Sequence, residues 1–221
     1  MRVLIIVPAH NEEKALPLLI PKIQEYGWEY LVINDCSTDG TEKLLDEKHW
    51  THIDLPLNAG LAAVTQMGFK YAAENGYDAA VVVDGDGQHP PKYIRSLVNE
   101  LENGADYVVG SRFLQNRKPA TMRMIGSRMI CGAVRLKTGF YPTDPTSGMR
   151  AVTGKIIREF AEDMNYIAEP DALVHIIRSG YTVREVQVDM EERQEGVSYF
   201  VNPFKAAKYM FNILISILIL Q

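Results

Sequence analysis

Cysteine is scarce in this chain: Cys36 and Cys131 are the only two thiols among 221 residues, far apart and outside any C-x-x-C spacing. That spacing supports neither a disulfide framework nor a thiolate zinc site, and a reducing cytoplasm is the expected compartment. Excess positive charge is also missing. A formal net charge of −5 argues against a protein that coats nucleic acid through its overall field. Glycine is absent from "PAHNEE", the stretch after the first apolar run, where a dinucleotide fold needs G-x-G-x-x-G. The nearest approach to a phosphate-binding P-loop also misses, because five residues separate Gly148 from Gly154 and Ile156 follows Lys155.

Long apolar runs are lacking as well. "MRVLIIVPAHNEE" is stopped by Pro8 and followed by acids, so it reads as a first strand and not as a signal peptide. "YMFNILISILIL" carries no charge from Tyr209 to Leu220 but falls short of the ~20 residues of a membrane span. An interfacial helix, or a helix docking on an integral-membrane partner, is the expectation for residues 201–221, with a core helix over the sheet as the alternative.

What is present is a βαβα rhythm: "VLIIV" (3–7), a helix from about Glu12, "YLVIN" (30–34), and a helix opened by "STDGTEKLL". It continues through a turn at 57–60, a helix to about Glu74, "AAVVVD" (79–84), a helix after Pro90 and Pro91, and "DYVVGS" (106–111). Unbroken apolar strands between helices predict an α/β fold with a mainly parallel sheet covered on both faces. Such sheets bind ligands at the carboxyl ends of their strands, which singles out residues 8–13, 34–38, 84–89 and 110–112.

Acids stand at three of those ends. In "VVVDGDGQHPP" only Gly85 separates Asp84 from Asp86, so both carboxylates can face one ligand. Two close anions repel unless a cation intervenes, and a hard ion such as Mg²⁺ or Mn²⁺, completed by substrate phosphate oxygens, would relieve that repulsion. Gln88 could add a carbonyl oxygen. The structural alternative is that Asp84 merely ends a strand and Asp86 or His89 caps the next helix. Asp35 is equally open between ligand and turn, Asp39 reads as a helix cap, and Glu12 suits a helix start.

The segments "VPAHNEE", "VINDCSTDGT", "VDGDGQHPP", "VGSR" and "DPTSGMR" occur in the order and spacing of family 2 glycosyltransferases, which have the GT-A fold. The resemblance runs over roughly residues 3–195 and is strongest to the dolichyl-phosphate mannosyltransferase-like, polyprenyl-phosphate branch. It implies a metal-dependent inverting transfer from a UDP- or GDP-sugar to a membrane acceptor, with residues 1–200 as the catalytic domain. It also implies that Pro8, His10, Glu12 and Asp35 surround the base and ribose, that Asp84 helps hold the nucleotide, and that Asp86 with Gln88 binds the metal. Arg112 is expected in the same pocket.

From Gly110 to Thr143 there are seven Lys or Arg residues and no acid. "TMRMIGSRMICGAVRLK" mixes those charges with apolar residues, as a helix at a membrane interface would, although a solvated amphipathic helix has the same pattern. In the resembled branch an Arg and a Ser four residues apart contact the acceptor phosphate, which points to Arg123 and Ser127, with Arg193 as a further phosphate-binding arginine. A hydroxyl acceptor would need a general base, and because family members with such acceptors carry an acid near "AEPD", the resemblance implies Glu169 or Asp171 in that case, with capping of the following helix as the alternative. The expected location is the inner face of the cell membrane, with a wall polysaccharide, a glycolipid or a glycoprotein as the eventual product. Two alternatives are a non-catalytic sugar-nucleotide-binding subunit and a haloacid-dehalogenase-like phosphatase, whose D-x-D-G motif should open the domain, not follow some 80 residues of it.

Overall fold

A computed structural model describes residues 1–162, 170–191 and 210–220. The chain runs β1 (Val3–Ala9), α1 (Leu16–Glu25), β2 (Glu29–Asn34), α2 (Thr41–Glu47), β3 (His52–Asp54), α3 (Gly60–Glu74) and β4 (Ala79–Val82). A short 3₁₀ turn, Pro91–Tyr93, leads into α4 (Ile94–Glu102) and β5 (Tyr107–Ser111). Then come α5 (Met122–Thr138), β6 (Arg150–Thr153), α6 (Gly154–Glu162), α7 (Ala172–Arg178) and β7 (Val183–Gln187). The last described segment, 210–220, is helical and ends in the wider winding of Ser216–Leu220.

Seven strands form one sheet in the order β3-β2-β1-β4-β6-β5-β7, parallel except for β6, which runs antiparallel to both neighbours. The expected mainly parallel α/β architecture is therefore present. Alternation along β1 explains its two covered faces, since Val3, Ile5 and Val7 pack with α1 and α4 while Leu4 and Ile6 face α3 and α6. Phe69 and Phe160 close the second face with ring centroids 5.6 Å apart, and full burial of such a side chain contributes ~1.5–3 kcal/mol. Helix α1 begins at Leu16, four residues later than expected: Glu12 to Ala15 form a turn, and Pro17, lacking an N–H, sits in the first helical turn where none is needed.

The reversed strand matters for the site. Val82 at the end of β4 and Val109 near the end of β5 both pair with Arg150, the first residue of β6. The loop entering β6, "DPTSG" (144–148), is thereby delivered to the same edge as the carboxyl ends of the parallel strands.

A third apolar cluster lies off the sheet, where Ile130 and Val134 of α5 and Val174 of α7 bury Ile213 and Ile217 of the C-terminal helix. That helix packs on two other helices and does not cover the sheet. Its opposite side is open: Phe211, Leu218 and Ile219 are exposed, as are Ile125, Met129 and Leu136 of α5. Among the described residues no helix is long and apolar enough to cross a membrane.

Candidate active site

The ends of β1 and β2 are laced together by side chains. Asn11, at a φ of 59°, accepts from the Thr38 backbone N–H at 2.7 Å through Oδ1, and Cys36 also turns left-handed at φ 53°. His10 Nδ1 lies 2.8 Å from the Asp35 carbonyl oxygen, and the Glu12 backbone N–H donates to Thr41 Oγ1 at 2.9 Å. The Asp35 carboxylate accepts from the Ala59 and Gly60 backbone N–H groups at 2.6 and 3.0 Å, which ties the end of β2 to the start of α3. Asp39 accepts from the Thr41 N–H at 2.9 Å, the expected capping contact. Burial pushes the Asp39 carboxyl up, but hydrogen bonds from Thr41 and Glu13 outweigh it and hold the group below its ordinary value.

At the end of β4 the backbone comes close to β1. The Gly85 N–H donates to the Pro8 carbonyl at 3.0 Å, and a Cβ on Gly85 would stand 2.7 Å from that oxygen, so no larger residue fits. Asp84 and Asp86 then project beyond the strand. The Asp86 carboxylate accepts from the Gln88 N–H at 3.0 Å across the left-handed Gly87, forming a tight local turn. His89 is buried, with Nδ1 3.5 Å from Asp84 Oδ2. Neither Asp86 nor His89 caps the next helix, because Pro90 stands at the cap position without a side-chain bond.

Gly148 completes the enclosure of Asp84: a Cβ there would stand 2.2 Å from Asp84 Oδ2. Gly148→Ala must therefore displace the Asp84 carboxylate. The role that the family resemblance implies for Asp84 then predicts about a tenfold weaker nucleotide affinity, read by calorimetry, for a loss on the scale of one charge-assisted hydrogen bond.

On the β5 side, Arg112 grips Asp144 bidentately at 2.5 and 2.8 Å, and Asp144 is fully buried. Arg150 holds the same loop through the carbonyls of Ser147 and Pro145 at 2.9 and 3.3 Å. Glu185 of β7 accepts from the Thr143 and Asp144 N–H groups, while burial raises its carboxyl above the ordinary value. Asp144, Arg150 and Glu185 were not singled out from the sequence. The D-P-T-S-G-M-R segment contains Asp144 and Arg150, and nothing in the sequence marks Glu185.

The acceptor-side candidates are distributed differently. Arg123 stands in the first turn of α5, while Arg193 and Glu169 lie outside the described residues. Ser127 is 1% exposed, and its hydroxyl accepts from Lys118 Nζ at 2.9 Å. Asp171 stands at the cap position of α7 without capping it through its side chain, and its Oδ2 accepts from Ser216 Oγ of the C-terminal helix at 2.5 Å.

The residues at the β4 end suit a hard divalent ion. They offer two carboxylates and an amide within five positions, and an ionised carboxylate accepts in about four directions, so the bond from Gln88 orients Asp86 without exhausting it. Among the described residues no three His, Cys, Asp or Glu groups converge on one point.

The family model for "Glycosyl transferase family 2" matches residues 4–163. The chain belongs to glycosyl transferase family 2. Among its curated relatives, polyprenol monophosphomannose synthase of Mycolicibacterium smegmatis is 30% identical over 212 residues, covering 89% of this chain and 80% of the relative. Undecaprenyl-phosphate mannosyltransferase of Micrococcus luteus is 31% identical over 217 residues, covering 90% and 87%. Among solved structures, glucosyl-3-phosphoglycerate synthase from Mycobacterium tuberculosis in complex with Mn²⁺, uridine-diphosphate and phosphoglyceric acid superposes with a TM-score of 0.74 at 17% identity. That match covers 98% of this chain and 78% of the synthase, and it concerns the fold. Membership in family 2 makes the chain a glycosyltransferase and sets aside the phosphatase and the non-catalytic subunit.

Proposed function

We propose that this family 2 enzyme transfers a sugar from a nucleoside-diphosphate sugar to a polyprenyl phosphate at a membrane surface, with inversion and with Mg²⁺ or Mn²⁺. The observation that carries the reading is similarity along nearly nine-tenths of the chain to two relatives, both named for polyprenyl-phosphate mannosyl transfer. The structural neighbour's complex with Mn²⁺ and uridine-diphosphate supports the donor class and the metal.

In this reading Pro8, His10, Glu12 and Asp35 form the wall for base and ribose, Asp84 and Arg112 border the diphosphate, and Asp86 with Gln88 hold the metal. A bound divalent ion would offset the charge that builds on the departing diphosphate. The acceptor phosphate oxygen attacks the anomeric carbon with its lone pair, the bond to the donor β-phosphate oxygen breaks, and the electron pair leaves with the nucleoside diphosphate. A phosphate oxygen is already anionic near neutral pH and needs no general base. The bond from Ser216 to Asp171 accords with this, since it gives that carboxylate a structural role.

The exposed apolar side chains of α5 and the C-terminal helix, on a segment free of acids, support placement at an anionic membrane surface. Leu136 and Ile219 are 78% and 73% exposed, so replacing both with Glu leaves the core intact. The double variant should melt like the wild type and sediment about tenfold less with anionic vesicles.

The test of the activity is a panel of UDP- and GDP-sugars with Mg²⁺ or Mn²⁺ and polyprenyl phosphate in detergent, following lipid-linked sugar. Product with one donor is expected. Transfer only to free sugars or hydroxyl acceptors across the panel would contradict the proposal.

A further inference from the structure

The basic stretch after β5 contains a cation in an unusual setting. Lys118 is partly buried, and its Nζ donates to Ser127 Oγ at 2.9 Å and to Cys131 Sγ at 3.2 Å. Ser127 and Cys131 stand four residues apart on α5, on the face turned into the protein, so the ammonium occupies a notch between two successive turns. Arg128 fixes the loop that carries it, donating through Nη2 to the Lys118 carbonyl at 2.7 Å.

Neither partner balances the charge. A hydroxyl is neutral, and burial holds the Cys131 thiol above its ordinary value although Lys118 draws it down, so sulfur is present as a thiol at neutral pH. Among the described residues no carboxylate forms an ion pair with Lys118. The acids on this side are engaged elsewhere, buried Asp144 with Arg112 and half-buried Glu185 with the N–H groups of Thr143 and Asp144. An ammonium has three N–H donors, and two are used. A half-buried cation is costly unless an anion completes it, and a seat that orients the group without neutralising it leaves that place for a ligand.

The seat is connected to the strand-end carboxylates. Lys118 Nζ and Arg112 Cζ lie 5.5 and 5.2 Å from the centroid of the same Phe113 ring, and Arg112 binds Asp144 of the loop whose Gly148 abuts Asp84. Arg112 is neutralised by its partner, whereas among the described residues Lys118 has no carboxylate partner.

We propose that Lys118 binds the phosphate of the acceptor, with Ser127 and Cys131 acting as positioning residues that aim its ammonium. The class of ligand is a phosphomonoester, and its identification with polyprenyl phosphate rests on the function proposed above.

The test uses the full chain, a short-chain polyprenyl phosphate as acceptor, and dimethylallyl phosphate as a soluble binding probe. Lys118→Gln is expected to raise the acceptor KM and the probe Kd by about 10-fold to 100-fold, the range for losing a hydrogen bond to a charged group. The donor KM should stay within about twofold, Lys118→Arg should recover most of the loss, and Ser127→Ala should fall between. Should Lys118→Gln lose its folded circular-dichroism signal, Lys118→Arg and Ser127→Ala carry the comparison. A folded Lys118→Gln with unchanged acceptor KM and probe Kd overturns the proposal, as does an equal rise in donor and acceptor KM. A wild type that transfers to no polyprenyl phosphate yet binds the probe in a Lys118-dependent way keeps the anion site and overturns only the acceptor class.

Discussion

Asp86→Ala is expected to lower sugar transfer by about a thousandfold, the scale for removing a group that offsets charge on a departing phosphate. The same variant should keep the far-ultraviolet circular dichroism and the melting temperature of the wild type. Both halves follow from its position. Asp86 lies beyond the end of β4, only partly buried, in a turn closed by its own bond to the Gln88 N–H, and no core cluster includes it. A second reading comes from metal titration: the wild type should gain activity with added Mg²⁺ or Mn²⁺, whereas the variant should not. A variant that unfolds would make Asp86 part of the framework, and one that retains transfer would remove it from the metal site.

Asp144→Ala is expected to produce the largest loss of stability. Asp144 is fully buried, and Arg112, with its side chain 20% exposed, is bound to it through two hydrogen bonds. Removing one partner of such a pair leaves an uncompensated charge in the interior, which costs ~3–5 kcal/mol. The Asp144 carboxylate also receives the Arg112 backbone N–H at 3.2 Å, so the loop entering β6 loses its tie to the end of β5. Urea denaturation should show a lower midpoint with an unchanged slope. A shift worth less than ~1 kcal/mol would mean that Arg112 reaches water, and that the pair is of the weak surface kind. Because Gly148 in this loop abuts Asp84, donor affinity should fall along with stability.

Much of this architecture is legible in the sequence where local pattern and tertiary environment agree. The apolar runs of β1, β2, β4 and β5 are buried on both sides, so they lack alternation and read as parallel strands. Three strands escape that reading. β3 is three residues long, β6 spans only Arg150–Thr153, and β7, "VREVQ", is half-buried along its whole length and mixes charge with valine. Short or edge strands take their conformation from their neighbours, and the sheet supplies the partner that the local sequence does not announce. Missing β6 also hid the means by which "DPTSG" reaches the strand ends, since that depends on one antiparallel insertion.

The site shows the same division. Asp35, Asp84 and Asp86 stand out because an acid after a buried strand is conspicuous, whereas their partners come from distant positions. The Ala59 and Gly60 N–H groups on Asp35 and the close approach of Gly148 to Asp84 bridge 24, 25 and 64 positions of sequence, and nothing local marks them. Ser127 is on the expected helix, but burial turns it to Lys118, a residue that had counted only as one charge in a basic run. The C-terminal segment reads as apolar from sequence, and the structure divides it into a buried edge of Ile213 and Ile217 and an open edge of Phe211, Leu218 and Ile219.

The decisive measurement supplies the purified chain with a nucleotide-sugar labelled in its sugar, a divalent ion and vesicles containing polyprenyl phosphate, and follows label and nucleoside diphosphate together. Equimolar appearance of nucleoside diphosphate and of label in the lipid phase is expected, with the anomeric configuration inverted relative to the donor. Release of nucleoside diphosphate with the label remaining in water would contradict it.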